Sequence, residues 1–403
     1  MDNLSILFIS FHDLVSPTHG SARLVLSSAG AMALRGHHVK YIRITQESPK
    51  EFYQVKVTNS KKEGLIEAID LFGGQISGSG WFKYMKLRNK IINILREKPD
   101  IIICESRPLF LLCSELSRRL KVPWVIRVDR MRSYCAIDIF RHTRKLRELF
   151  MAPPAIAYYA LTAKYADLAI SVAKWLEKEL KRLLVNNIVT IEPTHLTLSE
   201  PSSSNFFEGS YVDEIEEPYV IATVAPTKNA IMLLKALALR TPDITYIITR
   251  KRPRYVVEKW PKNIKWIGIV KDYERRKLYE RALCVLIYRS WMTGICISSI
   301  EALSYGKACI ANSPSVKGLS QEVRGIIIND NILKWPEIIQ LLKSDDSLRK
   351  RLEIEARGFF EAHLSPKVHA IKMEKALANV IKNNVSADCV SSTNTFSRLN
   401  QFQ

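Results

Sequence analysis

Cys284-Val285-Leu286-Ile287-Tyr288-Arg289-Ser290-Trp291-Met292-Thr293-Gly294-Ile295-Cys296-Ile297-Ser298-Ser299-Ile300-Glu301-Ala302-Leu303-Ser304-Tyr305-Gly306 is the stretch on which the reading of this chain turns. The unbroken apolar run from Cys284 to Tyr288 has the pattern of a parallel strand buried on both faces. A tight turn follows, and the spacing then predicts a helix from Gly294 to Tyr305, stopped by Gly306. Gly294 lets backbone amides approach a ligand at the start of that helix. Glu301 is expected about two turns in, on an otherwise apolar helix. A lone buried carboxylate is costly, so it needs a partner: a pair of sugar hydroxyls, or an internal hydrogen bond or salt bridge.

The same strand–loop–helix unit repeats outward in both directions. Ala308 to Ala311 is the next strand, and Gly325 to Ile328 a last short one. Upstream, Tyr219 to Val224, Ile244 to Thr249 and Ile264 to Ile267 read as strands, with helices over Ala230 to Leu239 and Asp272 to Ala282 between them. Thr227-Lys228 sits in the loop after the first of these strands. A lysine there either holds a diphosphate as a point charge or is one more exposed cation of a basic chain.

Residues 197 to 217 interrupt the alternation with a turn-rich Ser-Pro segment and an acidic run, and are read as a linker. Before them the unit occurs again. Leu4 to Ser10 is a strand, followed by the loop Ser16-Pro17-Thr18-His19-Gly20, a helix from Ser21 to Arg35 ended by Gly36, and a strand from His38 to Ile44. Further strands are expected at Asp100 to Cys104, Pro123 to Val128, Leu168 to Val172 and Ile188 to Ile191. Alternation of this kind implies a mainly parallel sheet covered on both faces. The predicted fold class is α/β, with two Rossmann-like doubly wound domains and a ligand cleft between the C-terminal ends of their strands. The expected layout is a first domain over 1–196, the linker over 197–217 and a second domain over 218–365. A C-terminal helix over 366–384 crosses back to the first domain, and a polar, unstructured tail covers 385–403.

Bulk properties restrict the function. The formal charge of +20 points to anionic partners, phosphates or acidic lipid headgroups, or simply to solubility. No helix-turn-helix, zinc or RNP signature accompanies it, so nucleic acid is set aside. No apolar run approaches the ~20 residues that span a bilayer, and the N-terminus does not read as a signal peptide. The seven cysteines are scattered without metal spacing, which suits small buried hydrophobes and a reducing, cytoplasmic setting. Two stretches mix cations with aromatic or apolar residues: Trp81 to Lys90, and Arg141 to Met151. Either they pack on the sheet with a solvated basic face, or they dock on the anionic inner face of the cell membrane.

These motifs together resemble the family-4 retaining glycosyltransferases of GT-B fold, to about residue 384. His19-Gly20 stands where that family has a Gly-Gly loop, and Gly36-His37 matches its Gly-His dipeptide before the second strand. Trp266-Ile267-Gly268-Ile269-Val270, then Arg276 to Ala282, resemble the approach to the donor site. Thr293-Gly294-Ile295-Cys296 with Glu301-Ala302-Leu303-Ser304-Tyr305-Gly306-Lys307-Ala308 resembles the donor motif. Thr293 replaces the first glutamate of its pair. Asp129 replaces the family's histidine, Val224-Ala225-Pro226 takes the place of an expected arginine, and Glu192-Pro193-Thr194-His195 that of an Asn-Gly turn.

The resemblance implies transfer of a hexose-type sugar, with retention, from a nucleotide-diphosphate donor to a glycan or lipid-linked acceptor. It implies a catalytic role for Lys228, against the diphosphate charge; Asp129, standing in place of the family's histidine, is either a catalytic sugar contact or base, or a salt-bridged loop aspartate. Donor contacts fall to Gly20, Thr293, Gly294, Ile295, Cys296 and Glu301, the last on the ribose hydroxyls. No cofactor and no metal are expected, because the helix terminus and the lysine offset the leaving-group charge. The altered positions leave a second reading open, a catalytically impaired scaffold or partner in glycan assembly.

Overall fold

A computed structural model of the chain describes residues 3–15, 20–45, 52–59, 62–72, 81–106, 109–129, 136–143, 146–198, 215–224, 227–250, 252, 260–270, 272–291, 294–319 and 322–399, with some side chains among these, and all beyond 384, left aside. The first half contains β1 (Ser5–Ser10), α1 (Gly20–Leu34), β2 (His38–Thr45), β3 (Tyr53–Asn59), β4 (Lys62–Phe72), α2 (Trp81–Ile94), β5 (Ile101–Cys104) and α3 (Phe110–Leu120). It continues with β6 (Trp124–Val128), α4 (Ala136–Thr143), α5 (Arg147–Phe150), α6 (Ala152–Lys164), β7 (Leu168–Ser171), α7 (Lys174–Arg182), β8 (Ile188–Thr190) and β9 (Thr197–Leu198). The second half contains β10 (Tyr219–Val224), α8 (Lys228–Arg240), β11 (Thr245–Ile248), β12 (Ile264–Trp266), α9 (Asp272–Arg281), β13 (Cys284–Tyr288) and α10 (Ile297–Ser304). It ends with β14 (Cys309–Ala311), α11 (Ser313–Val316), β15 (Ile326–Ile328), α12 (Trp335–Ser344), α13 (Asp346–Phe359) and α14 (Pro366–Leu399).

The strands form two sheets, ordered β8-β7-β6-β5-β1-β2-β4-β3-β9 and β12-β11-β10-β13-β14-β15. Strands on both sides of β1, β10 and β13 run parallel to them. Side chains alternate between faces along each strand, and both faces are covered. Leu7 and Ile9 enter one apolar layer with Ile91 and Leu112, while Ile6 and Phe8 enter the other with Leu26 and Met32. The second sheet repeats this, with Ile221 and Ile287 on one face and Ala222 and Leu286 on the other. Each sheet is therefore doubly wound, as the alternating pattern predicts.

Three features differ from the expectation. Residues 53–72, for which the pattern offered no strand, form a hairpin in which β3 runs antiparallel to β4 and to β9. Thr197–Leu198 thus belong to the first sheet and Ile215 to the core of the second domain, which narrows the join to 199–214, outside the described residues. The expected unstructured tail is instead helical backbone as far as Leu399, with no glycine or proline after Pro366 to interrupt it.

α14 packs against α1. Ala370, Met373, Leu377 and Val380 join the apolar layer beneath α1. Polar contacts hold its register: His369 meets Ser28 Oγ through Nε2 at 3.0 Å and the Glu192 carbonyl through Nδ1 at 2.7 Å. Arg35 Nε donates to Glu374 at 2.8 Å, and Lys372 Nζ donates to Glu192 at 3.0 Å. His37 is part of this set. Its Nδ1 accepts from the Leu4 amide at 3.0 Å, so Nε2 carries the proton and donates to Glu374 at 3.0 Å.

Helix α1 also lies unusually close to β4. A Cβ on Gly64 would sit 2.7 Å from the Leu34 nitrogen and 2.8 Å from the Ala33 carbonyl carbon. Backbone cannot yield there as a flexible side chain would, so Gly64→Ala must push α1 off the sheet. We expect a loss of about 1–3 kcal/mol, seen as a lower midpoint in denaturant at unchanged slope. An unaltered midpoint would show that the close approach is not required.

Candidate active site between the two domains

Two helix N-termini meet where the domains face each other. α1 starts at Gly20, and a Cβ there would lie 3.6 Å from Cγ1 of Ile297, the first residue of α10. The unpaired amides of the first turn and the helix dipole make each terminus attractive to anions. One from each domain converging on one gap makes that gap a place for a negatively charged group.

The side chains around this gap come from both domains. Ser21 Oγ donates to Asp129 Oδ2 at 2.8 Å, which fixes Asp129, just past β6, beside the start of α1. Cys296 is the N-cap of α10, and its Sγ lies 3.4 Å from Arg289 Nε. Burial would raise this thiol's pKa, but the Arg289 charge and hydrogen bonds from Ser299 and Arg289 bring it below its ordinary value. Ile295 packs against the apolar layers of both domains, so its side chain spans the gap. It fits because Gly318 leaves room: a Cβ there would sit 2.9 Å from Ile295 Cα.

α10 starts at Ile297, three residues later than the pattern predicted, because Gly294 to Cys296 are still loop. Glu301 is therefore little more than one turn into the helix. It is buried among two guanidinium groups and an imidazole. Arg275 Nη1, from α9, donates to Oε1 at 2.9 Å. Arg23 Nη1, from α1 of the other domain, approaches Oε1 at 3.8 Å, and His195 Nε2 at 3.7 Å. Burial alone would raise the Glu301 pKa, but Arg275, Arg23 and His195 together hold it down to about 2. Arg23 also donates to Asp272 at 3.1 Å, so one guanidinium bridges two carboxylates of the opposite domain. Aromatic rings wall the cluster: His195 lies edge-on to Tyr305 at 5.4 Å, and Tyr305 stacks on Tyr279 at 4.7 Å.

The structure thus brings Gly20, Asp129, Ile295, Cys296 and Glu301 around one gap. Lys228 opens α8, whose N-cap Thr227 lies 3.5 Å from Ser290 through their hydroxyls, so its backbone is at the same edge of the second sheet. The Lys228 side chain and all of Thr293 lie outside the described residues, and Gly294 adjoins Ile295 in the loop. Sequence alone did not single out Arg23, Asp272 or Arg275. Adjacent Arg275 and Arg276 carry no mark telling that one turns to Glu301 and the other to exposed Glu280.

No family model matches the chain, and no curated protein is similar to it in sequence. Solved structures are similar in fold. Sucrose-phosphate synthase from Thermosynechococcus elongatus superposes with a TM-score of 0.69 at 14% identity, over 94% of this chain and 99% of that one. Anabaena HepE in complex with UDP and glucose gives 0.63 at 13%, over 93% and 100%. α,α-Trehalose 6-phosphate synthase from Burkholderia multivorans gives 0.59 at 10%, over 97% and 99%. The shared architecture is GT-B, two Rossmann-like parallel-sheet domains flanking a cleft.

The Arg23 contacts cross that cleft, so they test its closure. Arg23→Gln removes the cationic bridge to Asp272 and Glu301 while Arg275 keeps Glu301 paired. Breaking a pair at this depth costs roughly 3 kcal/mol. We expect a lower denaturation midpoint and a larger radius of gyration by small-angle X-ray scattering. Unchanged values of both would mean that other contacts hold the domains together.

Proposed function

We propose that this chain is a nucleotide-sugar-dependent glycosyltransferase. The observation that carries the reading is the convergence of two helix N-termini, at Gly20 and Ile297, in the gap behind which Glu301 is held ionised. Oriented amides in a dry cleft stabilise charge that develops on a leaving diphosphate. The complexes of HepE with UDP and with UDP-glucose support a donor of this class.

In this reading the bond between the anomeric carbon and the diphosphate oxygen breaks. The acceptor hydroxyl oxygen bonds to the same carbon, and its proton passes to a phosphate oxygen or to Asp129. The nucleoside diphosphate leaves. Gly20 and the amides of Thr293, Gly294, Ile295 and Cys296 hold phosphate and sugar, and Lys228 offsets the diphosphate charge. Retention of configuration and a hexose-type sugar follow from the resemblance of the donor motif. The acceptor is a glycan or a lipid-linked glycan.

A second reading, an inactive GT-B scaffold for a glycan-assembly partner, is favoured by one observation: Arg23, Arg275 and His195 already crowd Glu301. The two part on a simple measurement. Isothermal titration of the full chain with ADP, CDP, GDP and UDP should give binding to at least one, weakened about tenfold or more in Lys228→Ala and Glu301→Ala, as expected for loss of a charged contact. Binding without turnover of any sugar nucleotide favours the scaffold. No binding at all would falsify the donor site itself.

The membrane reading rests on a surface of the first domain. Leu146, Phe150 and Met151 are exposed on and beside α5, next to exposed Arg147. Among the described residues no helix is long and apolar enough to cross a membrane. We propose peripheral contact with anionic lipid through this face. The chain should co-sediment with phosphatidylglycerol vesicles at low salt, and Phe150→Glu with Met151→Glu should abolish this. Failure of the unaltered chain to sediment would end the idea.

A further inference from the structure

His195 lies in the buried segment 191–196 that leads out of the first domain, yet its ring reaches α10 of the second. Its protonation pattern can be worked out from its neighbours. Ser304 Oγ is 2.6 Å from the Glu301 carbonyl oxygen and 3.0 Å from His195 Nδ1. A carbonyl only accepts, so at 2.6 Å the single hydroxyl hydrogen of Ser304 is committed to it. Nδ1 must then carry the proton and donate to Ser304 Oγ. That leaves Nε2 as a lone pair.

This lone pair is buried and has no hydrogen-bond partner among the described residues. It faces Glu301 Oε1 at 3.7 Å. Two acceptors at that separation cannot bond each other. They ask for a group that brings hydrogens to both. The Tyr305 hydroxyl, in the ring next to His195, is likewise buried without a partner. Among the described residues, the hydrogen bond from Arg275 and the closest approaches of Arg23 and His195 to the Glu301 carboxylate all fall on Oε1, which leaves Oε2 for a ligand.

We infer that His195 is a further donor-binding residue, whose Nε2 and the Glu301 carboxylate together accept the two hydroxyl hydrogens of a vicinal diol, the ribose of the nucleotide. This rests on the donor reading above and adds to it a residue that selects ribose over deoxyribose. Burial lowers the His195 pKa to about 4, so the ring is neutral and Nε2 an acceptor at neutral pH. Seating the diol requires the Arg23 guanidinium to give up Glu301. Its bond to Asp272 at 3.1 Å provides the position it falls back to. Arrival of the nucleotide therefore trades one cross-domain contact for a ligand that touches the segment joining the domains.

The test compares ligands within each protein, so that general damage cancels. The ribonucleoside diphosphate that binds best among ADP, CDP, GDP and UDP is titrated alongside its 2′-deoxy and 3′-deoxy forms. The proteins are the unaltered full chain, His195→Phe, which keeps the ring on Tyr305, and His195→Asn. The unaltered chain should prefer the ribonucleotide over one deoxy form by about tenfold, the worth of one buried hydrogen bond. His195→Phe should lose that preference while binding the same deoxy form as well as the unaltered chain does. A purely structural histidine would weaken all three ligands alike and leave the preference intact, which overturns the inference. Should both variants fail to fold, the ¹⁵N shift of His195 Nε2 in the unaltered chain decides. It must move toward a hydrogen-bonded acceptor on adding the ribonucleotide and not the deoxy form, and an unmoved shift also overturns the inference. Absence of binding by any of the four nucleotides sinks the donor reading itself.

Discussion

Glu301 carries a negative charge at a depth where an unpaired charge is untenable, and the chain answers with groups drawn from three places. Arg275 comes from the helix beside it, Arg23 from the first helix of the other domain, and His195 from the segment between the domains. No one domain supplies the whole set. Burying the carboxylate and closing the two halves on each other are consequently one event. The ionised state is secured by charges around it in spite of burial, as its pKa near 2 records. A ligand that offers hydrogens to the same oxygens competes on equal terms with the protein's own cations.

The helix termini belong to the same arrangement. α1 presents Gly20 to the gap and, one turn later, Arg23 to the opposite carboxylates. α10 presents Cys296 and Ile297 to the gap and, one turn later, Glu301 to Arg23. Both helices turn a positive end to the gap and carry a charged side chain about one turn in, Arg23 on α1 and Glu301 on α10. The positive ends repel each other while the oppositely charged side chains attract. An anion in the gap relieves the repulsion.

Much of the architecture was legible because it rests on local rules. Apolar strand runs, helical spacing and glycines at helix ends mark both doubly wound sheets, and Gly36 and Gly306 do adopt the left-handed conformation that ends α1 and α10, with φ of +95° and +63°. The hairpin over 53–72 escapes the pattern although Val55 and Val57 alternate with Gln54, Lys56 and Thr58, since an interposed antiparallel pair departs from the strand–helix rhythm. In the site, Gly20 and Glu301 stood out as a loop glycine and a charge on an apolar helix. Arg23, Asp272 and His195 did not, because their meaning lies in contacts spanning more than a hundred residues. Among 60 lysines and arginines, the sequence gives no sign of which reach the cleft.

The C-terminal helix bears on how the protein is made. α14 supplies Ala370, Met373, Leu377 and Val380 to the interior of a domain whose other parts all precede residue 199. It also completes the polar chain from Arg127 through Ser28 and His369 to Glu192. On the ribosome, the half that emerges first waits with an open apolar face while the whole second half is translated and free to fold by itself. The order of synthesis and the order of completion are thus reversed, and the nascent chain is most in need of a chaperone over its earliest residues, late in its own translation.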